Sequence, residues 1–320
     1  MQDGVLIYTF TLGAQEEAAE DEFLGNHYRC NWTDLRVMGD ETVKRLVMIT
    51  LTILVVALTL ASTKVLVIGV GEYNDTSVIQ LPGALKDAEA FSEIIGRTAD
   101  NPSIELIENP TLTSLKVNIL EWASNNEPGD TLILYYSGHG YSMENDTYLI
   151  PSDINTRYIE ETAYNFTTGL KTISEYISAK DVLIIIDACY SGSLVNDDRP
   201  LTNAKIKEGT IEEISKDKDY VFLLSSKSNE TSKERPEGGG QFTYYLLKGI
   251  EGEANTDNDE EITVSEVYDY LKEEVRKATS NNQTPVMVGD RDIVIAKDMR
   301  SVYDSLTLEI ARMARDGRID

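Results

Sequence analysis

Val182-Leu-Ile-Ile-Ile-Asp187-Ala-Cys189 (VLIIIDAC) is an unbroken apolar run that ends in a carboxylate and a thiol. Because its apolar residues are continuous and largely β-branched instead of alternating with polar ones, it reads as a strand covered on both faces. Three other runs read the same way: Val65–Val70 (VLVIGV), Thr131–Tyr136 (TLILYY) and Tyr220–Leu224 (YVFLL). Between these runs, Ala84–Ile95, Thr113–Ser124 and Ile173–Ala179 have helical spacing. Strand, helix and strand in repetition predict an α/β fold, a mostly parallel central sheet with helices on both faces and right-handed crossovers. Further along, Phe242–Gly249 and Val264–Lys277 read as helices, Val286–Ala296 as a strand broken at Gly289-Asp290, and Ser301–Arg315 as a last helix. No internal repeat is visible, and no linker forces a second domain.

The composition fits. With 320 residues, 41% of them hydrophobic, 8 Pro and 21 Gly, the chain is neither disordered nor collagen-like, and it is long enough to bury a core without staples. Its 29 Lys+Arg against 55 Asp+Glu give a net charge of -26. That charge repels phosphate backbones, which excludes nucleic acid as a partner and favours cationic peptides or metal ions. Two His and two Cys are too few for a zinc site built from those residues, so any Cys or His chemistry must use single side chains.

Residues 1–43 are expected to be an unstructured extension, within which residues 1–37 are expected to reflect a gene start placed too early, with Met38 the natural start. Lys44-Arg45 then precedes residues 46–61 (LVMITLTILVVALTLA), which carry no charge, and Ser62-Thr63-Lys64 follow. This basic, apolar, small-residue order is that of a signal peptide or membrane anchor over 44–62, so the protein is expected to be secreted or membrane-associated, with 46–61 as the tether. A buried helix or strand, in a cytoplasmic protein, is the plainer alternative for so short a run. The folded domain is expected over 63–300, with a helical tail over 301–320.

In an open parallel sheet, ligands gather beyond the carboxyl ends of the strands. Thr131–Tyr136 runs there into Ser137-Gly138-His139-Gly140, and Val182–Ile186 into Asp187-Ala-Cys189. A thiol nucleophile needs a partner that stabilises the thiolate and later protonates a leaving amine, and one imidazole does both. His139 is the candidate within the folded region, since His27 and Cys30 lie in the extension. A lone Cys after a strand is usually a small buried hydrophobe, and a His between glycines can simply serve a turn. Their joint placement at two strand ends favours a catalytic pair.

YYSGHG at Tyr135–Gly140 and DACYSG at Asp187–Gly192 resemble the His and Cys motifs of the caspase-like cysteine peptidases, in particular the prokaryotic metacaspase and orthocaspase branch. His139 and Cys189 are 50 positions apart, close to the separation of about 50 residues usual in caspases. The resemblance runs from Lys64 to Ala296 and includes VLVIGVGEYND, LPGALKDA at Leu81–Ala88, YLIPSD at Tyr148–Asp153, FLLSSKSNETS at Phe222–Ser232 and QFTYYLLKGI at Gln241–Ile250. Tyr190, where metacaspases usually have His, is a departure. The resemblance implies a cysteine endopeptidase with His139 as general base and acid, Cys189 as nucleophile, and the amides of Gly140 and Cys189 as oxyanion hole. It further implies a first specificity pocket built from Asp87, Ser137 and Asp187, hence peptide or protein substrates cut after Arg or Lys. Two carboxylates in a half-dry cleft favour a cation, which relieves their repulsion.

No cofactor is required for this chemistry. Asn255, Asp257, Asp259 and Glu266 nevertheless fall at the first, third, fifth and twelfth positions of an EF-hand-type loop. Asn255 replaces the usual Asp, and Glu260 stands where Gly makes the sharp turn, so a solvated turn is the simpler reading. Calcium stays open because many metacaspases are calcium-activated. Asn196-Asp197-Asp198-Arg199 is a second candidate calcium contact and offers Arg199 for self-cleavage. The alternatives to an endopeptidase are a non-catalytic caspase-like module that binds peptides or signals, and a Cys-dependent transferase or redox enzyme, the last disfavoured by the lack of a second nearby Cys.

Overall fold

The structure, a computed structural model, describes residues 61–300 apart from 144–145, 190–219, 228–229 and 231; beyond that range it describes only Arg45, Met48, Ile310, Arg312, Met313 and Arg315. The chain divides into two units, residues 1–59 and 60–320. The extension, most of the apolar run at 46–61 and the Asn196–Arg199 segment therefore lie outside the described residues. Among the described residues no helix is long and apolar enough to cross a membrane. Of the expected last helix, Ile310, Arg312, Met313 and Arg315 are described, and all four are helical.

The central sheet contains β1 (Thr63–Gly69), β2 (Pro102–Glu108), β3 (Thr131–Met143), β6 (Asp181–Cys189), β7 (Val221–Leu224) and β9 (Val286–Val288), in the order β2-β1-β3-β6-β7-β9. Every pairing along it is parallel except β7 with β9. A hairpin to β4 (Asp146–Leu149) continues β3, and β4 pairs with β5 (Tyr164–Asn165). Outside the sheet, β8 (Glu261–Thr263) pairs with β10 (Val294–Lys297).

Alternate residues of each strand feed opposite cores, which is why the runs had to be apolar throughout. Leu66, Ile68, Leu132, Leu134, Ile184 and Ile186 face α2 (Leu112–Ser124) and, beyond the one-turn α3 (Ile159–Thr162), α4 (Phe166–Ile173); α2 and α4 contribute Leu115, Ile119, Phe166 and Leu170. Val65, Val67, Ile133, Tyr135, Leu183 and Ile185 face α1 (Pro82–Thr98), α5 (Gln241–Lys248) and α6 (Val264–Ala278), through Phe91, Ile95, Phe242, Leu246, Leu271 and Val275. Helix starts follow local chemistry. Pro82 sits in the first turn of α1, Thr111 caps α2 by accepting from the Ser114 amide, and Thr263 with Glu266 forms a reciprocal capping box on α6.

Two readings need correction. The helix expected at Ile173–Ala179 ends where it was to begin. Asn165 caps the helix by accepting from the Thr168 amide, so the apolar stripe that fills the core is Phe166, Leu170 and Ile173, and a turn follows. Strand β2 was not anticipated, because as an edge strand it is mostly exposed and its sequence lacks the continuous apolar signal. A third difference bears on function. β3 and β6 do not stop at Tyr136 and Ile186; their ladder continues to the rung that pairs His139 with Cys189.

Ile184 is fully buried in the middle of β6. Ile184→Ala is expected to lower unfolding free energy by about 2–5 kcal/mol, measured by urea titration, from the lost transfer energy plus the cavity left behind.

Candidate active site

The extended ladder sets the geometry. Parallel pairing puts Ser137 opposite Asp187, Gly138 opposite Ala188 and His139 opposite Cys189, on strands about 4.8 Å apart. The expected base and nucleophile thus share one rung, and the pocket candidates Ser137 and Asp187 share a rung two residues earlier.

His139 is only 5% exposed and is held on three sides. Its backbone N–H donates to the Tyr73 hydroxyl at 3.1 Å, its carbonyl accepts from the Tyr136 hydroxyl at 2.7 Å, and its ring lies 5.1 Å from that of Tyr73. Nε2 lies 2.8 Å from the carbonyl oxygen of Ile79. A carbonyl can only accept, so Nε2 carries the proton, and in the neutral ring the lone pair is on Nδ1. Burial lowers the His139 pKa below its ordinary value despite the Ile79 contact. The ring is therefore neutral at pH 7, the state a base requires. Gly138 beside it is obligatory, since a Cβ there would meet the Tyr136 hydroxyl at 2.7 Å.

Asp87 on α1, Ser137 on β3 and Asp187 on β6 line one concavity together with Leu81, Ala84, Gly138, Gly240 and residues 232–234. The structure thus brings together three candidates that are far apart in sequence. Asp187, 6% exposed, accepts at Oδ2 from the Thr243 hydroxyl at 2.7 Å. Since that hydroxyl has one proton, the Tyr135 hydroxyl, 2.6 Å away, donates to Thr243 in turn. Asp87 accepts from the Gly240 amide at 2.7 Å. The backbone can come this close because residue 240 has no side chain: a Cβ there would lie 2.6 Å from Asp187 Oδ2 and 3.4 Å from Asp87 Oδ2. Gly238 and Gly239 bring the chain in through left-handed φ of 91° and 80°.

Desolvation, followed by the charge of Asp187, raises Asp87 to about 7, and desolvation also raises Asp187. Glu234 adds negative charge to both. The lining sets the carboxylates of buried Asp187, half-buried Asp87 and exposed Glu234 against the exposed Lys233, and Arg235 partly offsets the negative charge around Asp87.

Sequence reading missed the Ile79 carbonyl, Tyr73, Thr243, Gly240 and Glu234. A main-chain oxygen leaves no trace in residue identity. Gly238-Gly239-Gly240 was the one available signal, a run that permits close backbone approach.

The Asn255–Glu266 loop closes on its own hydrogen bonds. The Asn255 side-chain amide donates to Asp298 Oδ2 and to the Asp259 carbonyl, and Asp257 and Asp259 accept from backbone amides two residues on. Both Glu266 oxygens accept from backbone amides, of Thr256 and Thr263. Asn258, with φ 62°, makes the sharp turn, which is why Glu260 is tolerated at the position where an EF-hand has Gly. Among the described residues no three His, Cys, Asp or Glu side chains converge as a metal site.

A family model of the caspase domain matches residues 62–291. Among curated proteins no sequence matches the chain. The crystal structure of protein GSU0716 from Geobacter sulfurreducens is similar in fold, with a TM-score of 0.50 and 16% identity over 72% of this chain and 95% of that one.

Asp87→Asn tests the pocket electrostatics without substrate. With the folded pKa raised from 3.8 to about 7, the native state holds a proton that the unfolded chain releases, so stability falls as pH rises across that window and the penalty is complete above it. At pH 8 the substitution is expected to stabilise the protein by at least about 1 kcal/mol relative to its effect at pH 4, read from paired thermal melts.

Proposed function

This chain belongs to the caspase-domain peptidases, and on that premise we propose that it is a cysteine endopeptidase that cuts peptide bonds after Arg or Lys. The observation that carries the reading is the rung joining His139 to Cys189, two residues beyond the rung that joins Ser137 to Asp187 at the acid pocket.

In the proposed reaction His139 Nδ1 takes the Cys189 thiol proton and the thiolate attacks the scissile carbonyl carbon. The C–N bond breaks as the imidazolium returns that proton to the leaving amine, and a thioester remains. The same imidazole then deprotonates water, whose attack releases the new carboxyl terminus and regenerates the thiol. The Ile79 carbonyl stabilises the imidazolium through Nε2–H. The N–H groups of Gly140 and Cys189 are assigned to the developing oxyanion.

Specificity follows from charge. A guanidinium or ammonium group entering between Asp87 and Asp187 offsets two carboxylates that burial has made costly to ionise. An Asp side chain would instead meet like charge, with a repulsion of about 1 kcal/mol per contact in water and about 4 kcal/mol at an effective dielectric of 20.

Cys189→Ala and His139→Ala are each expected to lower hydrolysis of Arg peptides by at least about a thousandfold, with far-UV circular dichroism unchanged. Cleavage after Asp as readily as after Arg would refute the pocket assignment and leave the catalytic pair standing.

The pH profile provides an independent check. Because Asp87 must release its proton to accept a cation, kcat/KM for Arg peptides should rise with pH through about 7. The limb from His139 lies below its ordinary 6.5. Asp87→Asn should remove the upper limb and leave the lower one.

A further inference from the structure

On a chain of net charge -26, one concavity has the opposite character. A cavity of about 440 Å³ is lined by Lys227, Lys272 and Arg276 together with Glu230, Tyr268 and Thr284. We propose that this groove holds an acidic segment of the same polypeptide whose basic residue fills the Asp87–Asp187 pocket, which makes the preferred substrate bipartite; the proposal rests on the proteolytic reading above.

The groove is built by the fold. Tyr268, Lys272 and Arg276 stand four residues apart on α6 and so share one face of it. Where α6 ends, the Asn281 amide donates to the Arg276 carbonyl at 2.8 Å, and Asn281, at φ 62°, turns its side-chain oxygen to the Arg276 Nε at 3.1 Å. This orients the guanidinium while its outer nitrogens make no ion pair among the described residues. Lys227 approaches from the segment after β7, and neither it nor Lys272 has a carboxylate within ion-pairing range among the described residues. The carboxylate in the lining, Glu230, is already committed, accepting from the Thr284 amide at 2.5 Å and the Thr284 hydroxyl at 3.1 Å. The lining therefore sets three cations against one carboxylate, and that carboxylate is oriented toward Thr284.

Position identifies the occupant. β9 is antiparallel to β7 and begins at Val286, opposite Leu224 at the carboxyl end of β7, so the groove lies toward the same end of the sheet as His139 and Cys189, at the carboxyl ends of the parallel strands. One stretch of chain serves both sites: Lys227 and Glu230 line the groove, while Ser232, Lys233 and Glu234 line the acid pocket. Gln283, fully buried, ties the two together, accepting from the Lys233 amide and donating to the Ser225 carbonyl. A free acidic peptide is repelled by the net charge of the protein. An acidic segment tethered to a basic residue already bound meets the groove at high effective concentration.

The test uses peptides with Arg fixed before the cut and a single Glu or its isostere Gln walked through the flanking positions. At one or more positions Glu should raise kcat/KM about fivefold over Gln in low salt, and the ratio should fall toward one in high salt because the cations are exposed. Lys272→Gln with Arg276→Gln, both on the surface of α6, should bring the ratio to about one. No Glu preference at any position, or one that persists in the double variant, overturns the proposal while cleavage of the Arg peptides upholds the proteolytic reading. If no Arg peptide is cut at all, that reading fails and fluorescence anisotropy of a labelled Glu-bearing Arg peptide decides the groove: weaker binding in the double variant supports it, and equal binding overturns it.

Discussion

The pairing of β3 with β6 is the constraint on which the site depends. These neighbouring strands run parallel and stay in register past the point where β1 and β7 have stopped pairing with them. The Ser137–Asp187 rung, the last at which β1 still pairs with β3, stands at the root of that extension, and the His139–Cys189 rung lies two residues further on. A slip of one residue in this register would set His139 against a different neighbour and move Asp187 away from Ser137. The register is held by the apolar layers below, where alternate residues of both strands are locked into separate cores on the two faces. Hydrophobic packing of the sheet thereby positions polar groups that could not hold one another in place.

The polar groups are then tuned by what surrounds them. Burial keeps His139 neutral and the Ile79 carbonyl selects its tautomer. Burial also makes two carboxylates, Asp87 and Asp187, reluctant to ionise in the acidic concavity. Asp187 is supported by a relay of hydroxyls from Tyr135 through Thr243, whereas Asp87 is supported by one backbone amide. In the proposed function a cation bound between these carboxylates would offset the cost of ionising them, which is the physical basis of the proposed preference for Arg or Lys.

The two concavities toward this end of the sheet have opposite sign, one acidic and buried, the other basic and exposed. They differ in mechanism as well as in charge. A cation in the first would be largely desolvated and resist salt, whereas an acidic group in the second would be screened and contribute modestly. On a chain with a large net negative charge the basic groove persists because its lining holds three cations and one carboxylate, Glu230, which is turned toward Thr284.

The continuous apolar runs at 65–70, 131–136, 182–186 and 220–224 were legible as buried parallel strands, because being covered on both faces demands apolar residues at every position. His139 and Cys189 were legible as candidates because the folded region holds one His and one Cys, each following an apolar strand, whereas among 55 Asp+Glu the pocket candidates Asp87 and Asp187 were legible only through the resemblance of LPGALKDA and DACYSG to the family's motifs. Strand β2 and the true extent of α4 were not, since an edge strand carries no such pattern and a cap can shift a helix by several residues. Tertiary structure alone decided that β3 and β6 continue to the His139–Cys189 rung, that a main-chain oxygen of Ile79 fixes the imidazole, and that Lys227 joins Lys272 and Arg276 around one groove. In each case the deciding contact joins groups distant in the chain, or uses backbone atoms that every residue has, and neither leaves a mark in residue identity.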